Sequence, residues 1–411
     1  MKGAKRRLLA PLVALLGAAC GSSDAPVYDA PDASPWRTVR APVVPHLAGG
    51  VAIVSELGSD SVSVLDLAGG RTLATVPVGL TPLAANGPHD LAVDARARVF
   101  YTPLTFPPPV LVPGPHAAHG SSVTPGVLEK RSFDGFTLLG QVQVDANPGD
   151  VVASDDGSRV YVSHFDLARA IAHPGDRPSQ LSRVYVIDAA TMRVLAAVPV
   201  CVAGHEMELS DDGRTVYLAC YGDDARAVID VSVVPPVPVL VPIGSAVASA
   251  SPVYGPYATA LSPDGSTVWV VAQPPDSRGT GSGFVFAFDT ATRRFDLTRT
   301  LTLHLGRPFF PDFSDDGGTM FLPVQGPDAL LRVHLGTPPT ITQTVSFTAD
   351  QCRLPHRAST GPDGRVYVAC EGLHTATQTA PSVVLGLDGV TLDPRTRFDV
   401  GVDPEDILFV E

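Results

Sequence analysis

What the sequence lacks removes most enzyme classes at once. It has no Gly-x-Ser-x-Gly elbow, no helical His-Glu-x-x-His, no Walker A loop and no Rossmann glycine pattern. Cys-x-x-Cys-His is also missing, which excludes a covalent c-type haem. Extended heptads are absent, and with them a coiled coil. Charge is scarce, and cations are scarcer: 29 Lys and Arg stand against 42 Asp and Glu, a net charge of −13. Such a surface repels phosphates, so nucleic acid is excluded as a partner. Gly and Pro are plentiful, at 38 and 40 residues, as many short strands joined by many turns require.

What is present is a repeat. Gly204-His205-Glu206-Met207-Glu208-Leu209 alternates, Asp211-Asp212-Gly213 marks a turn, and Thr215–Cys220 is β-branched and aromatic. The frame returns around Asp155-Asp156-Gly157, Pro263-Asp264-Gly265, Asp315-Asp316-Gly317 and Pro362-Asp363-Gly364, with a degenerate copy at Asp94-Ala95-Arg96. Copies about 50 residues apart, all strand, predict a β-propeller. The openings Pro88-His89, Pro148-Gly149, Gly204-His205, Pro256-Tyr257, Pro308-Phe309, Pro355-His356 and Pro404-Glu405 give seven inner strands. The last ends the chain without its outer strands, while the stretch 51–78 supplies three strands without an inner one. The reading is an all-β seven-bladed propeller closed by the inner strand at 404–410 and those three N-terminal strands, which removes exposed sheet edges.

Val62-Ser63-Val64-Leu65-Asp66, Val184-Tyr185-Val186-Ile187-Asp188 and Ser262-Pro263-Asp264-Gly265 resemble the YVTN-type (YncE-like) propellers of bacterial cell envelopes over residues 51–411. The resemblance implies the fold and leaves function open, since related propellers serve as scaffolds, lyases, dehydrogenase subunits and metal enzymes.

The start of the chain reads as a signal peptide over 1–19. Lys2, Lys5, Arg6 and Arg7 precede an apolar run too short to span a bilayer, and Gly17-Ala18-Ala19 is a small-residue cleavage site. Cleavage puts Cys20 first, in a setting that resembles the bacterial lipobox, so Cys20 is expected to carry lipid. Residues 20–45 then form a flexible tether and 46–411 the propeller. The expected location is the cell envelope, with a lipid anchor in the membrane; Gly21 after the cysteine points to outer-membrane sorting.

The propeller geometry places the start of each inner strand and each second-to-third loop on one face. The long insertions 104–126, 164–181, 274–283 and 371–381 therefore crowd that face, where binding is expected. The channel-mouth candidates are His89, His205, Tyr257, His356 and Glu405, followed in the next column by Asp90, Asp150, Glu206, Arg357 and Asp406. His89, His205 and His356 form a candidate ligand set for copper or zinc, with Glu206 or Glu405 orienting a ring. Nitrous oxide reductase and the selenium-binding methanethiol oxidases are similar in placing His-bound copper in a seven-bladed propeller. The competing reading is that the acidic column bonds neighbouring backbone N–H groups. The loop histidines His116, His119, His164, His173 and His374 are expected to be solvated.

Of the five cysteines, four recur in register. Cys201 and Cys352 each lie four residues before a channel His, and Cys220 and Cys370 close the second strands of the same blades. Across antiparallel pairs this favours bridges 201–220 and 352–370 among the three possible connectivities. A Cys/His metal site is the alternative. The leading functional expectation is a binding or interaction module acting through the insertion-bearing face. The alternatives are a periplasmic copper-dependent oxidoreductase and a carboxylate-based lyase or hydrolase.

Overall fold

The computed structural model describes residues 50–81, 85–108, 119–244, 253–275, 282–374 and 379–410. Cys20 and the segments expected to form the signal peptide and tether lie outside them, as does His116. Seven small sheets stand in a ring and form a seven-bladed propeller. Blades are numbered here by their inner strands, from blade 1 at Pro88 to blade 7 at Pro404. Blade 3 is representative: Gly204–Leu209, Thr215–Cys220, Ala225–Asp230 and Val237–Pro242 pair antiparallel in order. Blade 7 closes the ring as expected, Pro404–Val410 pairing with Val51–Glu56 in the register Ile53↔Leu408 and Val51↔Val410.

Burial explains the sequence texture. A middle strand such as Val51–Glu56 is buried on both faces because a blade covers each side, so it opens on the continuous apolar run Val51–Val54 instead of alternating, while the outer strand Arg71–Pro77 is mostly open. The core is divided into layers between blades. Tyr161, Val184 and Val186 of blade 2, for example, pack on Met207, Leu218 and Ile229 of blade 3. The outer strand of blade 3 is an apolar edge, with Val237 and Val239 each 54% exposed. Pro238 and Pro242 in that strand lack an N–H, which blunts pairing with another chain.

The turns of the plain face share one design. The hydroxyls of Ser154, Ser210, Ser262 and Ser314 donate to Asp156, Asp212, Asp264 and Asp316 over 2.6–2.7 Å. The same carboxylates accept a backbone N–H two residues on at 2.9–3.0 Å. The glycine that follows has φ between +67° and +73° in all five turns, a conformation that a side chain disfavours. These bonds hold Asp156 down at about 2.

Two disulfides form, Cys201–Cys220 with Cα atoms 5.8 Å apart and Cys352–Cys370 at 5.2 Å. The expected pairing is the one observed, and paired cysteines belong to an oxidising, exported setting. The first bridge ties the last residue of the outer strand of blade 2, Arg193–Cys201, to the end of the second strand of blade 3, and the second ties the connector entering blade 6 to the end of that blade's second strand, next to His205 and His356 respectively.

Candidate functional site

The channel mouth is assembled from the first side chains of the inner strands and from the insertions above them. His89, His205 and His356 are each 3% exposed or less, and Glu405 is 1% exposed. Blade 2 contributes no side chain at Gly149, and Phe165, just past its second strand, fills the space.

His89 and His205 converge, and the third imidazole is His119, from the insertion of blade 1. Nδ1 or Nε2 atoms of the three lie within 4.8 Å of one another. His205 Nε2 and His119 Nε2 share a hydrogen bond of 2.8 Å. The His119 ring stacks on His89 at 4.5 Å between centroids and meets His205 edge-on at 4.8 Å. His119 is thus half-buried and engaged, which corrects the expectation of a solvated loop histidine. Its position is fixed from below. Ser122 N–H donates to Asn147 Oδ1 and Asn147 Nδ2 to Ser122 O, both at 2.8 Å, while Ala168 N–H donates to Gly120 O at 2.8 Å. Gly120 has φ +77°, and a Cβ there would stand 2.6 Å from Phe165 O, so only glycine lets the loop come this close.

An aromatic wall surrounds the three rings. Tyr257 stacks on His205 at 4.1 Å, and Phe165 lies against His119 at 4.9 Å and His205 at 4.8 Å. Burial and then the carboxylates of Glu405 and Glu371 push the Tyr257 phenol well above its usual range, keeping it a neutral donor.

His356 does not join His89 and His205 as a ligand set, which corrects the expected trio. The inner strand of blade 5 breaks between Arg307–Pro308 and Asp312–Phe313. In the break, Phe310 N–H donates to His356 O at 3.0 Å and Ala358 N–H to Phe310 O at 2.9 Å. This borrowed pairing turns the Phe310 ring into the mouth, 5.7 Å from His205 and 4.6 Å from His356. His356 instead faces carboxylates: its Nε2 is 3.4 Å from Glu405 Oε2 and 3.9 Å from Glu371 Oε1. The same Glu405 oxygen is 3.9 Å from His89 Nε2.

One residue further along each strand lies a charged plug. Arg357 contacts Asp406 at 2.9 Å, Glu206 at 3.1 Å and Asp90 at 3.8 Å, with its guanidinium 4.5 Å from the Phe310 ring centre. Burial and mutual repulsion hold Asp90, Glu206 and Asp406 well above the usual carboxylate range and push Asp150 up to about 6. Burial works against the charge of Arg357, but the surrounding carboxylates outweigh it and hold the guanidinium well above its usual value. The carboxylates also staple blades together. Leu91 N–H donates to Asp406 Oδ2 at 3.1 Å, Met207 N–H to Asp150 Oδ2, and Thr259 N–H to Glu206 Oε2 at 2.5 Å. The acidic column therefore bonds the backbone of the next blade, and Glu206 orients no histidine ring through these contacts.

The remaining loop histidines divide. His173 and His374 are exposed, as expected. His164 is 1% exposed, a correction: its Nδ1 bonds Arg183 O at 2.7 Å, and burial lowers its pKa to about 4. Glu371 and Phe165 escaped the sequence reading because both follow the second strand, outside the repeated column.

No protein-family model matches the sequence, and no curated protein matches it. Solved structures match the fold. The periplasmic gluconolactonase of Pseudomonas aeruginosa is 19% identical with a TM-score of 0.62, over 89% of this chain and 99% of that one. A putative 6-phosphogluconolactonase from Bacteroides uniformis is 12% identical with a TM-score of 0.60, over 89% and 100%. Hydrazine synthase of Kuenenia stuttgartiensis is 16% identical with a TM-score of 0.55, over 80% and 90%. At these identities the likeness carries the propeller and nothing about its chemistry.

Proposed function

We propose that this protein is an exported propeller that binds a zinc or copper ion at its channel mouth through His89, His119 and His205 and presents it to a small ligand. One observation carries the reading: three imidazoles from two blades and an insertion place ligand atoms within 4.8 Å of one another. Three histidines with an open fourth position suit either metal. A tetrahedral ion with bonds of about 2.0–2.1 Å separates its ligand atoms by about 3.4 Å. The 2.8 Å contact of His119 with His205 then opens slightly as the ion replaces the shared proton. The aromatic wall makes the surroundings apolar, which would strengthen the polarisation of a water or carbonyl oxygen by an ion held there.

The ring assigned to the ion differs from the expected copper site by one residue, His119 in place of His356. Hydrolysis of a small ester or lactone is the first chemistry to try, because a His-bound metal activates water and because two fold neighbours bear lactonase names. Export is supported by the two disulfides and by an N-terminal sequence that reads as a signal peptide. The lipid anchor at Cys20 is part of the proposal, and Cys20→Ser is expected to move the protein from the membrane pellet to the soluble fraction.

Calorimetric titration of the metal-free protein with zinc, and separately with copper, tests the site. His119→Ala is expected to weaken binding at least about 100-fold, and His173→Ala, on an exposed ring, to leave it unchanged. Equal binding by wild type and His119→Ala, or none by wild type, overturns the assignment.

A further inference from the structure

The joint that leads into an inner strand recurs around the ring. Gly87, Asn147, Ala203, Gly255, Leu354 and Asp403 each precede such an opening, and each has φ between +51° and +63°. In all six the carbonyl accepts the first N–H beyond the second strand of the same blade, at 2.9–3.2 Å. Glycine, alanine and leucine serve this joint as well as asparagine does. The backbone therefore does not call for an amide at position 147.

The Asn147 side chain has other work. It is buried, and its Oδ1 accepts from Ser122 N–H while its Nδ2 donates to Ser122 O, both at 2.8 Å, and to Asp166 Oδ1 at 3.1 Å. Asp166 Oδ1 also accepts Arg169 N–H at 3.0 Å and so caps the short helix Leu167–Ala172. From the first turn of that helix, Ala168 N–H donates to Gly120 O at 2.8 Å, beside His119. Arg169 fastens the helix to blade 1, with Nε 2.9 Å from Asp166 Oδ2 and Nη2 3.2 Å from Asp145 Oδ2. The stretch 119–122 is thus gripped twice, at Ser122 by Asn147 and at Gly120 by the helix, and Asp166 joins the two grips.

We infer that Asn147, backed by Asp166, is a positioning residue for an ion held by His89, His119 and His205. The inference rests on the three-histidine reading and extends it to the insertion of blade 2. His89 and His205 stand on inner strands of the ring, whereas His119 stands on an insertion that only these bonds fasten over the channel. A loop left loose has to surrender its conformational freedom each time the ion binds, and affinity falls accordingly. By linkage, the ion tightens the grip by the factor that the grip adds to its affinity.

The test is calorimetric titration of the metal-free mature chain with zinc, for wild type, Asn147→Gly, His119→Ala and the double variant. Glycine already occupies the same joint at Gly87 and Gly255, so Asn147→Gly removes the amide without straining the backbone. Asn147→Gly is expected to bind zinc about 10–100-fold more weakly than wild type. In the His119→Ala background the same change is expected to alter affinity by no more than about twofold, because the ring it positions is gone. Hydrogen exchange on the wild type needs no variant: zinc is expected to slow the Ala168 amide by the same 10–100-fold or so and to leave the Gly213 amide of the plain face unchanged. Wild-type affinity in Asn147→Gly, an equal loss in both backgrounds, or an Ala168 amide indifferent to zinc overturns the positioning role and leaves the three-histidine site standing. No zinc bound by wild type overturns both readings.

Discussion

On one face of the disc, four turns repeat the same serine–aspartate bond and five place a glycine in the same left-handed conformation. On the other, no blade does what its neighbour does: blade 1 sends His119 back over the channel, blade 2 substitutes Phe165 for a missing side chain, and blade 5 breaks its inner strand to lend Phe310 to blade 6. The plain face is made by keeping the repeat and the mouth by departing from it. A ring needs its joints to be alike, whereas a site needs unlike groups meeting at one point. The two faces should therefore respond differently to substitution.

The largest effect is expected beneath the mouth. Arg357→Met leaves Asp90, Glu206 and Asp406 without their shared cation and should destabilise the fold by about 3–5 kcal/mol in urea denaturation at neutral pH. A loss below about 1 kcal/mol would mean that the plug is not holding the ring. Next comes the bridge beside His205. Replacing Cys201 and Cys220 together with serine should cost about 2–4 kcal/mol and weaken metal binding as the strand start loosens.

A smaller loss is expected on the plain face. Gly213 has φ +68° with open space where a Cβ would go, so Gly213→Ala should cost about 1–2 kcal/mol through backbone strain alone. Metal affinity should stay at the wild-type value. A shift in it would break the division between the faces.

The finest test is pH, because the carboxylates of the two regions are displaced in opposite directions. Asp150 is raised by burial from 3.8 to about 6, so its contribution to stability is fully present below about 3.8 and lost as pH rises through about 6. Asp156 is lowered by its turn bonds to about 2, so its contribution is present above about 3.8 and lost as pH falls through about 2. Asp150→Asn should flatten the stability profile between pH 4 and 6, and Asp156→Asn only that between pH 2 and 4. Profiles that change in the same window would remove the contrast.

The same division sets how much could be read from the chain. The seven blades, the closure at Ile53 and Leu408 and both disulfides follow from spacing, because a repeat writes its geometry into every copy. His89, His205 and the acidic column were legible for that reason. His119 was not. It lies in a Pro/Ala/Gly-rich insertion, and the bonds that bring it to the channel run from its neighbours Gly120 and Ser122 to the distant Ala168 and Asn147. The displacement of His356 depends on a strand break at Phe310; Pro311, which has no N–H to give the ladder, marks the break locally, but nothing in the local sequence shows that Phe310 pairs with blade 6 instead. Glu371 immediately follows Cys370, and nothing in its sequence neighbourhood distinguishes it from a loop carboxylate.

Everything proposed for the mouth requires it to hold an ion. Crystals grown with zinc, measured above and below the zinc absorption edge, would locate it directly. The predicted result is an anomalous peak about 2.0–2.1 Å from ring nitrogens of His89, His119 and His205. A structure with no peak among those three rings, or with zinc only at exposed histidines such as His173 or His374, would contradict it.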